Sequence, residues 1–171
     1  MADRSYMDWP FFEESHRKLA GELDDWCRQT KWPHHGDSVD ATDEACRQRV
    51  QLRGAGGWLR WCVHMEYGGK HESLDVRSLC LIRETLARYD ALADFSFAMQ
   101  GLGSGAISLY GNSEQKQNIL GEVSAGRMIV GFALSEPDAG SDVAAMNSKA
   151  FSTTEGWNCL LYTSDAADEE D

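Results

Sequence analysis

The sequence predicts an α+β protein in which a helical domain precedes the start of a β domain. Helical periodicity of the apolar residues extends over roughly the first 120 residues. A short, partly β-branched apolar segment, Met128–Leu134, follows between Gly126 and Ser135-Glu-Pro137, which favours a strand. A run of helices followed by a first strand is typical of an all-α domain that leads into a β domain.

An apolar stripe near the N-terminus indicates the first helix. Its members recur at spacings of four, three, four and three residues, which places them on one helical face. Pro10 suits the first turn of this helix. The loop Lys31–Asp37 follows by composition. The stripe consists of Phe12, His16, Leu19, Leu23 and Trp26.

The next two helices are separated by an apolar connection. The second is predicted from a cap at Thr42-Asp43 to Arg53, and glycines from Gly54 onward end it. Apolar residues of the connection Trp58–Gly69 are expected to hold it against the core. A third helix begins after a cap at Asp75. Its expected buried face consists of Val76, Leu79, Ile82, Leu86 and Tyr89.

The fourth helix, Leu92–Tyr110, is apolar on most sides, which predicts that it is buried. It contains the glycine-rich segment Gly101–Gly105. This segment does not follow a strand and lacks the spacing of a dinucleotide-binding loop, so it is interpreted as a site of close helix packing. A short fifth helix is expected after Gly111–Ser113, with Ile119 and Leu120 on its buried side.

The composition is that of an ordinary soluble globular protein, since 42% of the 171 residues are hydrophobic and 26% are charged. No apolar run approaches the ~18 residues of a transmembrane span. The N-terminal residues lack the basic and apolar regions of a signal peptide. The net charge of −12 argues against nucleic acid or an anionic membrane as a partner.

Neither the cysteines nor the histidines predict a metal site. The five cysteines are scattered and form no CxxC pair, which also argues against a disulfide framework and favours a reducing cytoplasm. His34-His35 lies beside Asp37, but adjacent residues rarely converge on one ion and no third ligand accompanies them. We therefore expect no bound metal.

The most informative segment is Phe132–Asp142, a polar loop that follows the predicted strand. Its amides and the hydroxyls of Ser135 and Ser141 are suited to hold an anionic ligand. Pro137 fixes its own φ angle, and Gly140 permits either a positive φ or close approach of a ligand to the backbone. The alternative interpretation is a turn that merely ends the strand and caps a helix.

Eleven consecutive residues of this loop resemble the flavin-binding motif of acyl-CoA dehydrogenases. The chain resembles the N-terminal part of that family over about residues 8 to 157. Three weaker motifs occur in the family's order: Tyr67-Gly-Gly69, Gly111–Lys116 and Ser124-Ala-Gly126. The resemblance implies a helical domain at residues 1–125 and the first strands of a truncated, β-barrel-like middle domain at residues 126–158.

The resemblance also implies FAD as the cofactor. Phe132, Leu134 and Ser135 would lie along the isoalloxazine ring, and Ser141 would bind the pyrophosphate. The implied FAD-contacting residues are Phe132, Ala133, Leu134, Ser135, Glu136, Pro137, Asp138, Ala139, Gly140 and Ser141.

The loop departs from the family's usual residues at three positions. The family often has Tyr, Thr and Gly where this chain has Phe132, Ser135 and Asp138. Serine in place of threonine keeps the hydroxyl. Asp138 adds a negative charge near a phosphate-bearing ligand, so its side chain is expected to point to solvent.

By resemblance, the reaction is the α,β-dehydrogenation of an acyl-CoA thioester in fatty acid metabolism. Ser141 would also touch the acyl-CoA, and Phe97 and Met99 would limit the depth of the acyl pocket. Electrons would pass to an electron-transfer flavoprotein, and the parent enzyme would be a cytoplasmic homotetramer. The family's catalytic glutamate lies in a C-terminal domain outside these 171 residues. No catalytic residue is therefore assigned, and the chain alone is expected to be inactive.

Two other function classes stay open on the sequence. One is a relative with different chemistry, an acyl-CoA oxidase or a flavin-dependent monooxygenase. The other is a helical interaction module without enzymatic activity, in which the loop match is accidental. Residues 159–171 leave the family pattern and resemble translated adapter sequence, so we treat them as a hypothetical non-native acidic tail.

Overall fold

The computed structural model describes residues 3–34, 36, 38–154 and 156–160. These residues form five α-helices and one antiparallel hairpin, which confirms the predicted α+β class. The chain divides between Gly131 and Phe132 into two compact units, called here the helical unit and the hairpin unit. The elements are α1 Glu14–Gln29, α2 Val39–Ala55, α3 Val76–Tyr89, α4 Ala91–Tyr110, α5 Ser113–Ser124, β1 Lys149–Thr153 and β2 Gly156–Leu160.

Helix α1 begins four residues after Pro10, which lies in the turn before it. His16 is fully buried and links two helix starts. Its Nδ1 accepts the Glu13 N–H at 3.0 Å, so the ring proton sits on Nε2 and is donated to the Asp75 carboxylate at 2.8 Å. Asp75 also caps α3, as predicted, by accepting the Arg77 N–H. A polar member of the predicted stripe thus joins α1 to α3.

The core of the helical unit draws on all five helices and on the connection after α2. That connection forms two 3₁₀ helices, Trp58–Cys62 and Met65–Tyr67, and buries Leu59 completely, so its predicted packing on the core is confirmed. Burying a leucine or isoleucine contributes about 1.5–3 kcal/mol. The most deeply buried apolar side chains are Leu23, Leu59, Ile82, Leu86, Leu120 and Val123.

Helix α2 begins earlier than predicted and carries two arginines into the core. Ser38 caps it by accepting the Ala41 N–H at 3.2 Å, ahead of the expected cap at Thr42-Asp43. Arg49 is 1% exposed and holds Asp90 in a two-pronged ion pair, with N–O distances of 2.8 and 2.5 Å. Charged side chains are rarely buried unless they are paired. The spacing of apolar residues therefore does not predict that Arg49 is buried, because its partner Asp90 is distant in the sequence.

Arg53 is also completely buried, one helical turn from Arg49. Its Nη2 donates to the Ser96 hydroxyl, while its Nε and Nη1 have no partner among the described residues. Burial, reinforced by the neighbouring Arg49 charge, lowers the pKa of Arg53 to about 10.

The predicted burial of α4 is wrong for one of its faces. Phe95, Leu102 and Leu109 are 58%, 49% and 72% exposed, whereas Phe97 and Gln100 are buried. Helices α2, α3 and α5 all contact α4. They do not cover the face that carries these three exposed side chains, so apolar composition alone overestimated burial.

Helix α3 shows a smaller version of the same error. Ile82 and Leu86 lie at the centre of the buried face, as predicted. Val76 and Tyr89, at the two ends of the predicted stripe, are exposed.

No described helix is long and apolar enough to cross a membrane.

The segment Met128–Leu134 does not form a strand, which corrects the sequence prediction. Its backbone is held by the buried side chain of Gln100, whose Nε2 donates to the Met128 carbonyl and whose Oε1 accepts the Val130 N–H, both at 2.9 Å. One turn along α4, a Cβ on Gly103 would lie 2.6 Å from the Gly131 carbonyl oxygen. An amide side chain and a glycine on α4 therefore take the place of a neighbouring strand.

Replacing Gln100 by leucine is expected to lower the free energy of unfolding by about 1–3 kcal/mol, because one backbone N–H and one C=O lose their partner. Urea unfolding of the chain measures this loss. Gln117→Leu on the exposed side of α5 is the matched control and should change stability by less than about 0.5 kcal/mol. Equal effects of the two substitutions would contradict the bridging role of Gln100.

Candidate functional site

A cavity of about 450 Å³ lies in the helical unit, between α3, α4 and the connection after α2. Its walls are mostly apolar, and Leu79, Phe97 and Leu102 contribute side chains to them. On α4, the small residues Ala98, Gly101 and Gly105 leave the space open. Concave, mostly apolar cavities of this size are typical of small-molecule sites.

The two predicted acyl-pocket residues occupy different positions relative to this cavity. Phe97 is 2% exposed and belongs both to the core and to the cavity wall. Met99 is half-buried and is not among the lining residues. Residues two positions apart on a helix point about 200° apart, so a helix cannot present both side chains to one cavity equally.

Polar residues also line the same cavity, among them His71 and Arg83. The His71 ring packs on Trp61 with ring centroids 4.7 Å apart. Arg83 forms a two-pronged ion pair with Asp94 at 2.8 and 3.0 Å. The cavity thus combines mostly apolar walls with a few polar lining residues.

In the hairpin unit, the predicted ligand loop contains a tight turn. The Glu136 N–H donates to the Ala139 carbonyl at 2.9 Å, and the Ala139 N–H returns a bond to Glu136 at 3.1 Å. Pro137 and Asp138 form the exposed tip of the turn, while Ala139 is 1% exposed. Asp138 therefore projects away from the interior of this unit.

The rest of the loop presents hydrogen-bond donors. The hydroxyls of Ser135 and Ser141 are exposed, and within the described residues the N–H groups of both serines have no protein partner. Gly140 does not have a positive φ, and a Cβ placed on it would meet nothing within 4 Å. Of the two roles open to Gly140, unobstructed approach to the backbone is the one that the geometry permits.

Comparison with known proteins identifies the family. The profile of the acyl-CoA dehydrogenase N-terminal domain matches residues 13–127. The chain belongs to the acyl-CoA dehydrogenase family. It is 31% identical over 144 residues to a probable acyl-CoA dehydrogenase, fadE25, of Mycobacterium leprae, covering 84% of this chain and 36% of that protein.

Solved structures show the same fold. An acyl-CoA dehydrogenase from Bacillus anthracis, complexed with FAD, superposes with a TM-score of 0.66 at 26% identity, covering 86% of this chain and 25% of that one. An acyl-CoA dehydrogenase from Geobacillus kaustophilus gives a TM-score of 0.68 at 23% identity, over 88% of this chain and 39% of that one. The chain thus spans a quarter to two fifths of the length of these acyl-CoA dehydrogenases.

Within the loop from Phe132 to Asp142, Glu136 differs from its neighbours because its carboxylate faces inward. It accepts the N–H groups of Asn147 and Ser148 at 2.6 and 2.9 Å and also the Ser148 hydroxyl. The Ser148 hydroxyl and the Asn147 amide lower the pKa of Glu136. Both carboxylate oxygens of Glu136 are thus bonded to other residues of the hairpin unit, as is its backbone N–H.

Sequence reasoning missed Gln100, which holds Met128 and Val130 in the helical unit. It also missed Asn147 and Ser148, which hold Glu136 in the hairpin unit. Gln100 interrupts an apolar helix, which was the available signal for a buried polar contact. Asn147 contributes only a backbone N–H, so its residue type carries no signal.

The remaining sequence candidates give no additional site. His35 and Asp37, from the histidine cluster, lie outside the described residues. Among the described residues no group of three His, Cys, Asp or Glu side chains is arranged to hold a metal ion. Of the hypothetical tail, Cys159 and Leu160 belong to β2, and residues 161–171 are outside the described ranges.

Proposed function

We propose that this chain is the N-terminal part of an FAD-dependent enzyme that oxidises the α,β carbon–carbon bond of an acyl-CoA thioester. Membership of the acyl-CoA dehydrogenase family carries the proposal. The exposed donors of the loop from Phe132 to Ser141 support it. An oxidase or monooxygenase has no observation in its favour here, and family membership argues against an accidental loop match.

The donor set of the loop fits a flavin cofactor. Phosphates and the carbonyl-bearing edge of the flavin ring are hydrogen-bond acceptors, and the loop offers the hydroxyls and N–H groups of Ser135 and Ser141. Phe132 is 47% exposed, so its ring is available to lie against a planar group. When bound, FAD supplies the hydride acceptor of the reaction. The inward turn of Glu136 keeps one negative charge away from the phosphate-binding face.

For the substrate, we propose that the apolar cavity of the helical unit accommodates part of the acyl chain. Phe97 limits its depth, because its buried ring forms part of the wall. Met99 does not line this cavity and lies on a different face of α4, so it is not proposed to limit the depth of this cavity. Ser141 is proposed to contact acyl-CoA as well as FAD.

The remaining features of the parent enzyme are proposals from family membership. They are a cytoplasmic location, a homotetrameric assembly, a role in fatty acid metabolism, and electron transfer to an electron-transfer flavoprotein. The catalytic base is proposed to lie outside these 171 residues. On this proposal the chain alone, which spans about a third of the M. leprae relative, does not oxidise acyl-CoA.

The test uses the full-length protein purified with its cofactor. We expect bound FAD near one per chain and loss of the oxidised-flavin absorbance when acyl-CoA is added without oxygen. Ser141→Ala should raise the Kd of FAD about tenfold or more, because a hydrogen bond to a charged group is lost. Ser113→Ala, on the exposed start of α5, is the control and should leave the Kd unchanged. Purification without flavin, or flavin that acyl-CoA does not reduce, would refute the proposed function.

A further inference from the structure

The carboxylate of Glu136 is buried although it belongs to an exposed loop. The residue is 8% exposed, whereas Ser135 and Pro137 on either side of it are exposed. Its two oxygens receive three hydrogen bonds, from the N–H groups of Asn147 and Ser148 and from the Ser148 hydroxyl. A carboxylate that accepts several N–H and O–H bonds forms some of the strongest hydrogen bonds in proteins.

These bonds join two parts of the hairpin unit that are eleven and twelve residues apart in sequence. One part is the turn Glu136–Ala139, closed by its own pair of backbone hydrogen bonds. The other part leads directly into β1 at Lys149. Gly140 and Ser141 lie on the chain between the two parts, so both ends of the segment that carries them are held by one side chain.

The partners of Glu136 are uncharged, which distinguishes this contact from an ordinary ion pair. No arginine or lysine in the described residues lies within ion-pair distance of its carboxylate. Lys149 lines a cavity of about 370 Å³ together with Glu136 and Asp138, but among the described residues it forms no salt bridge with the Glu136 carboxylate. The contact therefore depends on the placement of the donors of Asn147 and Ser148.

We propose that Glu136 is a positioning residue for the FAD-contacting loop: its carboxylate ties the turn Glu136–Ala139 to Asn147 and Ser148, and so sets where Ser141 presents its donors. This inference rests on the proposed flavin function of the loop. It assigns Glu136 a role distinct from direct contact with the cofactor. It also explains why a negative side chain is compatible with a phosphate-binding segment.

Glu136→Gln is the informative substitution because it preserves shape. Glutamine retains one acceptor oxygen, but its NH₂ group would face a backbone N–H donor in place of the second oxygen. Asp142→Asn is the matched control. It removes the same charge from the same loop and keeps an oxygen that can accept the Ala144 N–H.

Hydrogen exchange measured by mass spectrometry on the cofactor-free full-length protein tests the contact itself. In Glu136→Gln we expect the peptide containing Asn147 and Ser148 to exchange about tenfold faster, while Asp142→Asn exchanges like the wild type. Ser148→Ala keeps two of the three bonds and should give an intermediate rate. Unchanged exchange in Glu136→Gln would overturn the proposal.

The FAD dissociation constant of the same variants tests the positioning role. We expect Glu136→Gln to raise it about tenfold, Ser148→Ala to raise it less, and Asp142→Asn not to raise it. Equal weakening by Glu136→Gln and Asp142→Asn would mean that charge alone matters and would overturn the role. A wild-type protein that binds no FAD but shows the protected amides would refute the proposed function and, with it, the positioning role, while leaving the contact established.

Discussion

Replacing Asp90 by alanine is expected to lower the free energy of unfolding by about 3–5 kcal/mol, because Arg49 would be left as a buried charge without its carboxylate. Asp90 also caps α4 by accepting the Ala93 N–H at 2.7 Å. Burial opposes ionisation of Asp90, but the bonds from Arg49 and Ala93 prevail, so its pKa is lowered. Urea unfolding followed by circular dichroism measures the loss.

Two variants separate the buried pair from other contributions. Asp94→Ala removes the partner of Arg83, whose side chain is 52% exposed, and should cost less than about 1 kcal/mol. Asp90→Asn keeps an oxygen for the Ala93 N–H, so it should preserve the cap and lose only the charge. The ion-pair explanation fails if Asp90→Asn is as stable as the wild type.

Gly54→Ala is expected to destabilise the protein by about 3 kcal/mol, near the upper end for an overpacked core. A Cβ at this position of α2 would lie 2.2 Å from the carbonyl oxygen of Ala125 and 2.7 Å from Cα of Gly126. Both are backbone atoms at the end of α5, so a rotamer change cannot relieve the overlap. The same unfolding measurement provides the value.

The matched control places the same substitution where nothing opposes it. Gly21 lies in α1, and a Cβ there meets nothing within 4 Å. Because alanine favours helix, Gly21→Ala should raise the free energy of unfolding by about 0.5–1 kcal/mol. Opposite signs are therefore expected from the two substitutions, and a stabilising Gly54→Ala would contradict the close contact of α2 with the end of α5.

Much of the helical unit was predictable because local rules and apolar spacing agree. The cap at Asp75 follows from side-chain chemistry that acts over three residues. The same chemistry placed the start of α5 after Ser113, one residue later than the observed start after Asn112. The predicted cap of helix α2 lies at least four residues too late because Ser38 and Thr42 are both good caps. Only the surrounding contacts decide which of two adequate caps is used.

For the candidate site, too, some features were predicted from the sequence and others were not. The resemblance predicted an FAD contact for the loop from Phe132 to Ser141 and an acyl-pocket role for Phe97, and both stay predictions. The structure adds that Phe97 lines a cavity. The inward direction of Glu136 did not follow, because its donors lie eleven and twelve residues later and one of its partners is a backbone group. Side-chain direction in a loop depends on which donors the chain brings near it.

The sequence by itself determined the family of this protein, its α+β class and the position of the loop that is proposed to hold a ligand. These depend on a continuous motif and on periodic burial, both of which are local properties of the chain. Only the tertiary structure decided that Arg49 is buried and that α4 is half exposed. It also decided that Gln100 on α4 replaces a neighbouring strand for Met128–Leu134. The contacts of Gln100 and Arg49 depend on partners 28 and 41 residues away in the sequence. The exposure of α4 depends on how many other helices pack against it. The local spacing of apolar residues specifies neither the distant partners nor the number of neighbours.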